Sequence, residues 1–376
     1  MPCRLPQFTA LFLGLLMSSR GTAAGVSLMT GDPERGRAVF QAWNCGTCHS
    51  VNGVGGGKAP DLGRPAERDF GPSEMAGRLW NHAPVMWVAM ERAGIRNPEL
   101  EEQDGADLFV YLFAARSFEA PGNAGRGKRI FQQKRCAVCH GSTPAHGALP
   151  VAAWNSVSEP VALVQRMWNH SSEMKPALTR AGAAWPRLSA QELRDLLTYV
   201  RSVNGGSGNG DFSPGPAASG QELFVSKGCA ACHKGNLKLE TRSTRYGFTE
   251  LAAAMWNHAF RVPSEPAKLS YDEMRRLVGY LVSIQFYEER GDSEQGKRLF
   301  EKKRCASCHD NPESGAPARS RMAGKMTSFG LATALWKHGP VMLGRMKQNN
   351  ITWPQFSGND VADLTAYLHG AQLKKR

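Results

Sequence analysis

A chain of 376 residues with 41% apolar and 21% charged residues has the composition of a globular protein and room for several domains, which excludes a disordered chain. Its formal charge of +13 admits nucleic acid, an anionic membrane, an acidic partner or an internal anionic cofactor. Forty glycines and twenty-two prolines point to short elements on long connections, as in a mostly helical protein.

The first element is a leader. Arg4, an apolar run from Phe8 to Met17 and the small residues Thr22, Ala23 and Ala24 stand in the order of a secretory signal peptide, residues 1–24, cut after Ala24. Its apolar core is too short for a membrane span, which takes about 20 residues, and no later stretch reaches that length. The expected product is periplasmic or otherwise exported, without a membrane span, and cleavage takes Cys3 with it. Export and the scatter of the basic residues, whose densest cluster is the tail Lys374, Lys375 and Arg376, exclude nucleic acid as a partner.

Four similar units follow. In residues 30–118 a short amphipathic helix, ERGRAVFQAWNC, runs into CGTCH at 45–49. A longer helix, GPSEMAGRLWNH, with Ser73 as its expected N-cap, carries the stretch RLWNHAPVM, and ADLFVYLFA with Tyr111 closes the unit. After EAPGNA, residues 121–203 repeat the order with GRGKRIFQQKRC, CAVCH at 136–140, RMWNHSSEM and RDLLTYVRS with Tyr199. Residues 204–216, rich in Gly, Ser and Pro, read as a flexible linker. Residues 217–287 hold CAACH at 229–233, GFTELAAAMWNH with Thr249 as expected N-cap, and RRLVGYLVS with Tyr280. Residues 290–376 hold CASCH at 305–309, ALWKHGPVM and ADLTAYLHG with Tyr367. A glycine stands nine residues before each first cysteine (Gly36, Gly127, Gly220, Gly296) and a phenylalanine five before it (Phe40, Phe131, Phe224, Phe300).

All eight remaining cysteines lie in that five-residue word: Cys45 and Cys48, Cys136 and Cys139, Cys229 and Cys232, Cys305 and Cys308. Cys-x-x-Cys-His reads as covalent attachment of a c-type haem. Two thiols a helical turn apart can each bond one vinyl group of a porphyrin, while the adjacent His49, His140, His233 or His309 reaches the iron as proximal ligand. A thioredoxin-like pair would sit in a βαβ pattern, which these flanks lack. Structural zinc would bring Cys pairs together, whereas here they lie 76 to 93 residues apart, each with its own histidine.

The helix leading into Cys-x-x-Cys-His and the closing Leu-x-x-Tyr-Leu type helix resemble the class I cytochrome c fold, in four copies over nearly the whole mature chain. The resemblance implies an all-α protein of four tandem small haem domains, each with its first and last helices crossing, four covalently attached c-type haems, and electron transfer. Domains this small need the haem to complete their cores. The linker pattern suggests two docked pairs, units 1 with 2 and 3 with 4. The family's carbonyl support for the proximal histidine implies roles for Pro60, Pro150 and Pro317, with no equivalent in unit 3.

The sixth ligand has two candidate sets. Positions three and seven before His82, His170, His258 and His338 are all apolar (Leu79 and Met75, Met167 and Leu163, Met255 and Leu251, Leu335 and Leu331), which puts each histidine on an inward arc of its helix. The rivals, suggested by the family's methionine, are Met86, Met174 and Met342, four residues further on. Pro84 and Pro340 are expected to break the helix between them. Unit 3 has Val262 in place of the methionine. The neighbouring Trp80, Trp168, Trp256 and Trp336 are expected to pack against the ring or the last helix. The function expected is a relay of single electrons between redox partner proteins, with no catalytic residue. The alternatives are a multihaem enzyme, a peroxidase or an oxidoreductase of sulfur or nitrogen compounds with an open iron in unit 3, and the haem subunit of a larger dehydrogenase.

Overall fold

The structure is a computed structural model that describes residues 31–370 apart from 64–70, 117–119, 146, 155–156, 158, 206–214, 240–245, 263–264, 286–290 and 323–326. The expected leader and most of the expected linker lie outside the described residues. Unit 1 holds α1 (Pro33–Ala42), α2 (Pro72–Arg92) and α3 (Glu102–Ala114). Unit 2 holds α4 (Ala124–Gln133), α5 (Cys136–His140), α6 (Pro160–Arg180) and α7 (Ala190–Asn204). Unit 3 holds α8 (Ala217–Ser226), α9 (Cys229–Cys232), α10 (Phe248–Ala259) and α11 (Tyr271–Ser283). Unit 4 holds α12 (Ser293–Lys302), α13 (Ala306–His309), α14 (Arg319–Met322), α15 (Ser328–Gln348) and α16 (Asp360–Gly370). The chain is all-α and repetitive. Among the described residues the only sheet is a two-residue antiparallel pair, 50–51 with 54–55.

The recurrent glycine marks where the first helix of a unit crosses the last. A Cβ at Gly36 would overlap the Asp107 carbonyl, and the same holds for Gly127 on Asp195, Gly220 on Arg276 and Gly296 on Asp363. One turn further on, the recurrent phenylalanine meets the recurrent tyrosine, with ring centroids 5.8 Å apart for Phe40 and Tyr111 and 5.4 Å for Phe224 and Tyr280. In unit 1 the crossing is locked by the Asp107 carboxylate, which accepts from Asp32 N (2.6 Å) and Arg35 Nε (2.8 Å). Asp195 receives Asn123 N and Arg126 in the same way, and Asp363 receives Asp292 N. Unit 3 has Arg276 there and Pro216 where the backbone donor would be. The first N–H of α8, on Ala217, is instead taken by Asp32 Oδ2 of unit 1 at 2.7 Å, a buried bond between units.

The units dock in pairs, but the pairs are 1 with 4 and 2 with 3, not 1 with 2 and 3 with 4. The helices that carry the second histidines pack on each other, α2 on α15 and α6 on α10. The pairing is reciprocal. Trp80 donates its indole N–H to Pro354 O (2.7 Å), and Trp336 donates to Pro98 O (3.1 Å). Trp168 donates to Ala267 O (3.0 Å), and Trp256 to Pro186 O (2.7 Å). Beside each of the first three tryptophans an asparagine clamps the backbone of the facing unit at both donor and acceptor: Asn81 on Phe356, Asn169 on Leu269, Asn257 on Leu188. Unit 4 has Lys337 at this place. The tryptophan beside each histidine therefore holds the neighbouring unit.

Two local expectations are corrected. The N-caps are Gly71 and Gly247, not Ser73 and Thr249; Ser73 accepts from Ala362 N across the interface instead. Pro84, Pro176 and Pro340 lie inside unbroken 21-residue helices. Pro84 still removes the N–H that Trp80 O would have accepted, and that carbonyl takes the indole N–H of Trp353 from unit 4 at 3.2 Å. Packing across the interface offsets the cost of the proline.

Candidate metal centres

Each Cys-x-x-Cys-His begins on a reversal of the chain. The residue before the first cysteine has a positive φ in all four units: Asn44 (56°), Arg135 (62°), Gly228 (81°) and Arg304 (62°). A left-handed residue costs energy when it carries a side chain, so its recurrence marks a geometry that the following five residues require. The chain then makes one helical turn, with His49 N, His233 N and His309 N bonded to the carbonyl of the first cysteine at 3.0 Å. Both cysteines and the histidine are thereby gathered on one short turn. The eight cysteines of these motifs form no disulfide with one another, and burial pushes Cys45, Cys136 and Cys305 up to about 11, as an apolar wall would.

The second nitrogen of each expected proximal histidine is engaged. Nδ1 lies 2.9 Å from Pro60 O for His49, 2.9 Å from Leu149 O for His140, 3.2 Å from Leu237 O for His233 and 2.9 Å from Pro317 O for His309. A carbonyl can only accept, so Nδ1 carries the proton and Nε2 keeps its lone pair for a metal. Pro60 and Pro317 serve as expected. In unit 2 the acceptor is Leu149, one residue before Pro150, and unit 3 supplies Leu237 although it lacks a proline. Only the backbone oxygen is needed, which is why residue type was an unreliable guide.

The distal helix of each unit carries the second histidine, and in units 1, 2 and 3 it brings that ring opposite the first. Along it Met75, Leu163, Leu251 and Leu331 are buried, Leu79, Met167, Met255 and Leu335 are half-buried, and the histidines stand where the stripe leaves the core. Of these, His82, His258 and His338 are exposed and His170 is half-buried. Ring centroids lie 6.2 Å apart for His49 and His82, 6.0 Å for His140 and His170, and 5.7 Å for His233 and His258. Two imidazoles bound to opposite sides of one ion, each nitrogen about 2 Å from it, have centroids about 6 Å apart. Partial burial and the facing His49 lower the pKa of His82, which favours the neutral form that a ligand needs. His170 has its Nδ1 3.0 Å from Glu173.

Unit 2 shows the space between such a pair. A cavity of about 750 Å³ is lined by Phe131, Cys136, Cys139, His140, His170 and Met174 and closed by Trp256 of unit 3. The size and the mostly apolar walls suit a large planar ligand. Of the rival ligands, Met174 lines this cavity beside His170. Met86 packs with Trp87, Leu100 and Trp336 at the interface of units 1 and 4, and Met342 packs against the main core. α10 ends at Ala259, one residue after His258, before the position a methionine would take.

Paired thiols on one turn, an imidazole with its outer nitrogen pinned and a second imidazole facing it across an apolar cavity fit a porphyrin iron, whose ring supplies the four remaining nitrogens. Sequence reasoning named the cysteines and histidines of each unit, and the structure brings the two histidines together in units 1, 2 and 3. It missed the Asn81, Asn169 and Asn257 clamps, although their repetition beside the histidine was visible, and the carbonyls of Leu149 and Leu237, which leave no sequence signal. No curated protein and no solved structure matches the chain. The family model for cytochrome c matches at residues 33–114, 124–204 and 293–372, together more than half of the chain. Unit 3, with Pro216, Arg276 and a shortened distal helix, is the segment that departs from it. The chain is a multihaem c-type cytochrome of the cytochrome c family.

Proposed function

We propose that the chain is an exported tetrahaem electron carrier, with a haem in unit 3 as in units 1, 2 and 4, and with histidine as both axial ligands: His49 and His82, His140 and His170, His233 and His258, His309 and His338. The observation that carries this reading is the repeated opposition of imidazoles at 5.7 to 6.2 Å, in unit 3 as in units 1 and 2. Bound haem supplies one-electron cycling of iron. The protein pins the proximal ring through Nδ1, sets the distal ring on a rigid helix and walls the cavity with apolar side chains. A pair of neutral imidazoles favours lower potentials than a His/Met pair. Unit 3, the place first considered for an open iron, has both a carbonyl for His233 and an opposing His258, which supports relay over turnover.

The leader implies export, and among the described residues no helix is long and apolar enough to cross a membrane. Donor and acceptor are redox proteins of the exported compartment. The test is the haem content per chain of the purified protein, with its spectrum in the presence of carbon monoxide and cyanide. Four haems, all low-spin and inert to both ligands, are expected. Three haems would remove unit 3 from the relay, and a ligand-binding iron with peroxide turnover would favour an enzyme.

A further inference from the structure

The residue that follows each distal histidine is small and buried: Ala83, Ser171, Ala259 and Gly339. Gly339 shows why. A Cβ there would overlap the indole of Trp87 on α2, so α15 and α2 touch at the turn that bears His338 and about a turn and a half beyond His82. Helices packed through such small residues approach to about 8 Å between axes. The two distal helices are therefore in direct contact close to both histidines, each of which belongs to its own unit's site. An aromatic chain bridges the same contact, with Trp80 stacked on Trp353 at 3.8 Å, Trp353 edge-to-face with Trp87 at 5.7 Å and Trp87 tilted against Trp336 at 5.7 Å.

In the other pair Trp256 is fully buried and lies two residues before His258, yet it lines the unit 2 cavity. It touches one unit's site while belonging to the distal helix of the other. Trp185 of unit 2 lies tilted against it, with ring centroids 4.3 Å apart. The two pairs meet through units 1 and 3, at the bond from Ala217 N to Asp32 and by packing of α11 on α1 and α3.

We infer that the four redox sites stand in the spatial order 4, 1, 3, 2 and communicate within the pairs 1/4 and 2/3 across their distal helices, not in the order of the sequence. This rests on the ligand reading above. The exchange is one electron, lost by ferrous iron at one site and gained by ferric iron at its neighbour, with no proton or atom transferred. Sites 4 and 2 are then the two ends of the relay, and the consecutive units 1 and 2 are not in direct exchange.

The test uses the full-length holoprotein and electron paramagnetic resonance. His338→Met raises the potential of site 4, so that site 4 is reduced first. His82→Met identifies the haem 1 signal by moving it. On reduction of site 4 the haem 1 signal should narrow or shift and the haem 3 signal should stay fixed; the reverse result would overturn the order. His82→Met provides the reciprocal reading at haem 4. If His338→Met leaves the spectrum of site 4 unchanged, the ligand reading fails, and that is seen before any coupling is measured. Trp256→Leu tests the neighbour relation without touching a ligand: the haem 2 signal should change and that of haem 4 should not. An unaltered haem 2 signal would overturn the proposal.

Discussion

Units 1 and 3 are built on one plan and differ in nearly every accessory. Unit 1 has a 21-residue distal helix with Met86 beyond its histidine, Pro60 behind the proximal ring, and a carboxylate, Asp107, that locks its helix crossing. Unit 3 has a 12-residue distal helix, no methionine, no proline at that place, and Arg276 where the carboxylate would be. Both keep the crossing glycine, the Phe–Tyr pair, the left-handed residue before the cysteines, the Trp-Asn clamp and two opposed imidazoles. What survives in the more divergent unit is the set that, on the proposed reading, would hold a haem, together with the docking surface. The methionine is not in that set, and the missing carboxylate is offset by Asp32 of unit 1.

The sharpest break in this comparison is removal of the distal ring. His82→Ala and His258→Ala should each convert one haem from low to high spin and open it to carbon monoxide, to the same extent in both units, read from the optical spectrum. A unit 3 that stayed low-spin would show that its ligand set differs. Next in size is the helix crossing. Gly36→Ala and Gly220→Ala place a methyl group on a carbonyl in both units, and each should cost about 3 kcal/mol, at the upper end of overpacking, measured by denaturant unfolding of the holoprotein.

Asp32→Ala separates the two units. It should remove the α1 cap and free the first N–H of α8, costing about 1 to 2 kcal/mol, with faster hydrogen exchange at Ala217 as well as in unit 1. An effect confined to unit 1 would show that unit 3 does not depend on it.

Glu159 gives a smaller, pH-dependent effect at the docking of units 2 and 3. Its carboxyl is buried beside Tyr271 of unit 3 and Arg201, and burial pushes it up to about 7 despite the N–H groups of Val161 and Ala162 that favour its charge. A carboxyl raised in the folded state holds its proton there when the unfolded chain has lost it. Stability should therefore fall as pH rises from about 4.5 through about 7. Glu159→Gln should flatten that slope in melting curves taken across this window. The smallest effect is expected from Met86→Leu, a volume-conserving swap costing less than about 1.5 kcal/mol, with the haem 1 potential unmoved.

The cysteine words, the paired histidines and the helical repeat were legible because each is a local pattern set by residue type. The partners of the units were not. Which unit docks on which depends on carbonyls such as Pro354 O and Pro186 O meeting Trp80 and Trp256, contacts between backbone and side chains about 70 to 270 residues apart. Proline breaks were expected inside the long helices, but Pro84 is tolerated because Trp353 satisfies the carbonyl it frees. Leu149 and Leu237 act through their backbone, which carries no sequence signature.

The most direct test of the opposed-imidazole reading is the near-infrared magnetic circular dichroism of the fully oxidised protein, scaled per haem. Four bis-histidine centres are the expected result. Three His/Met centres with one exception would contradict it, and would return Met86, Met174 and Met342 to the iron.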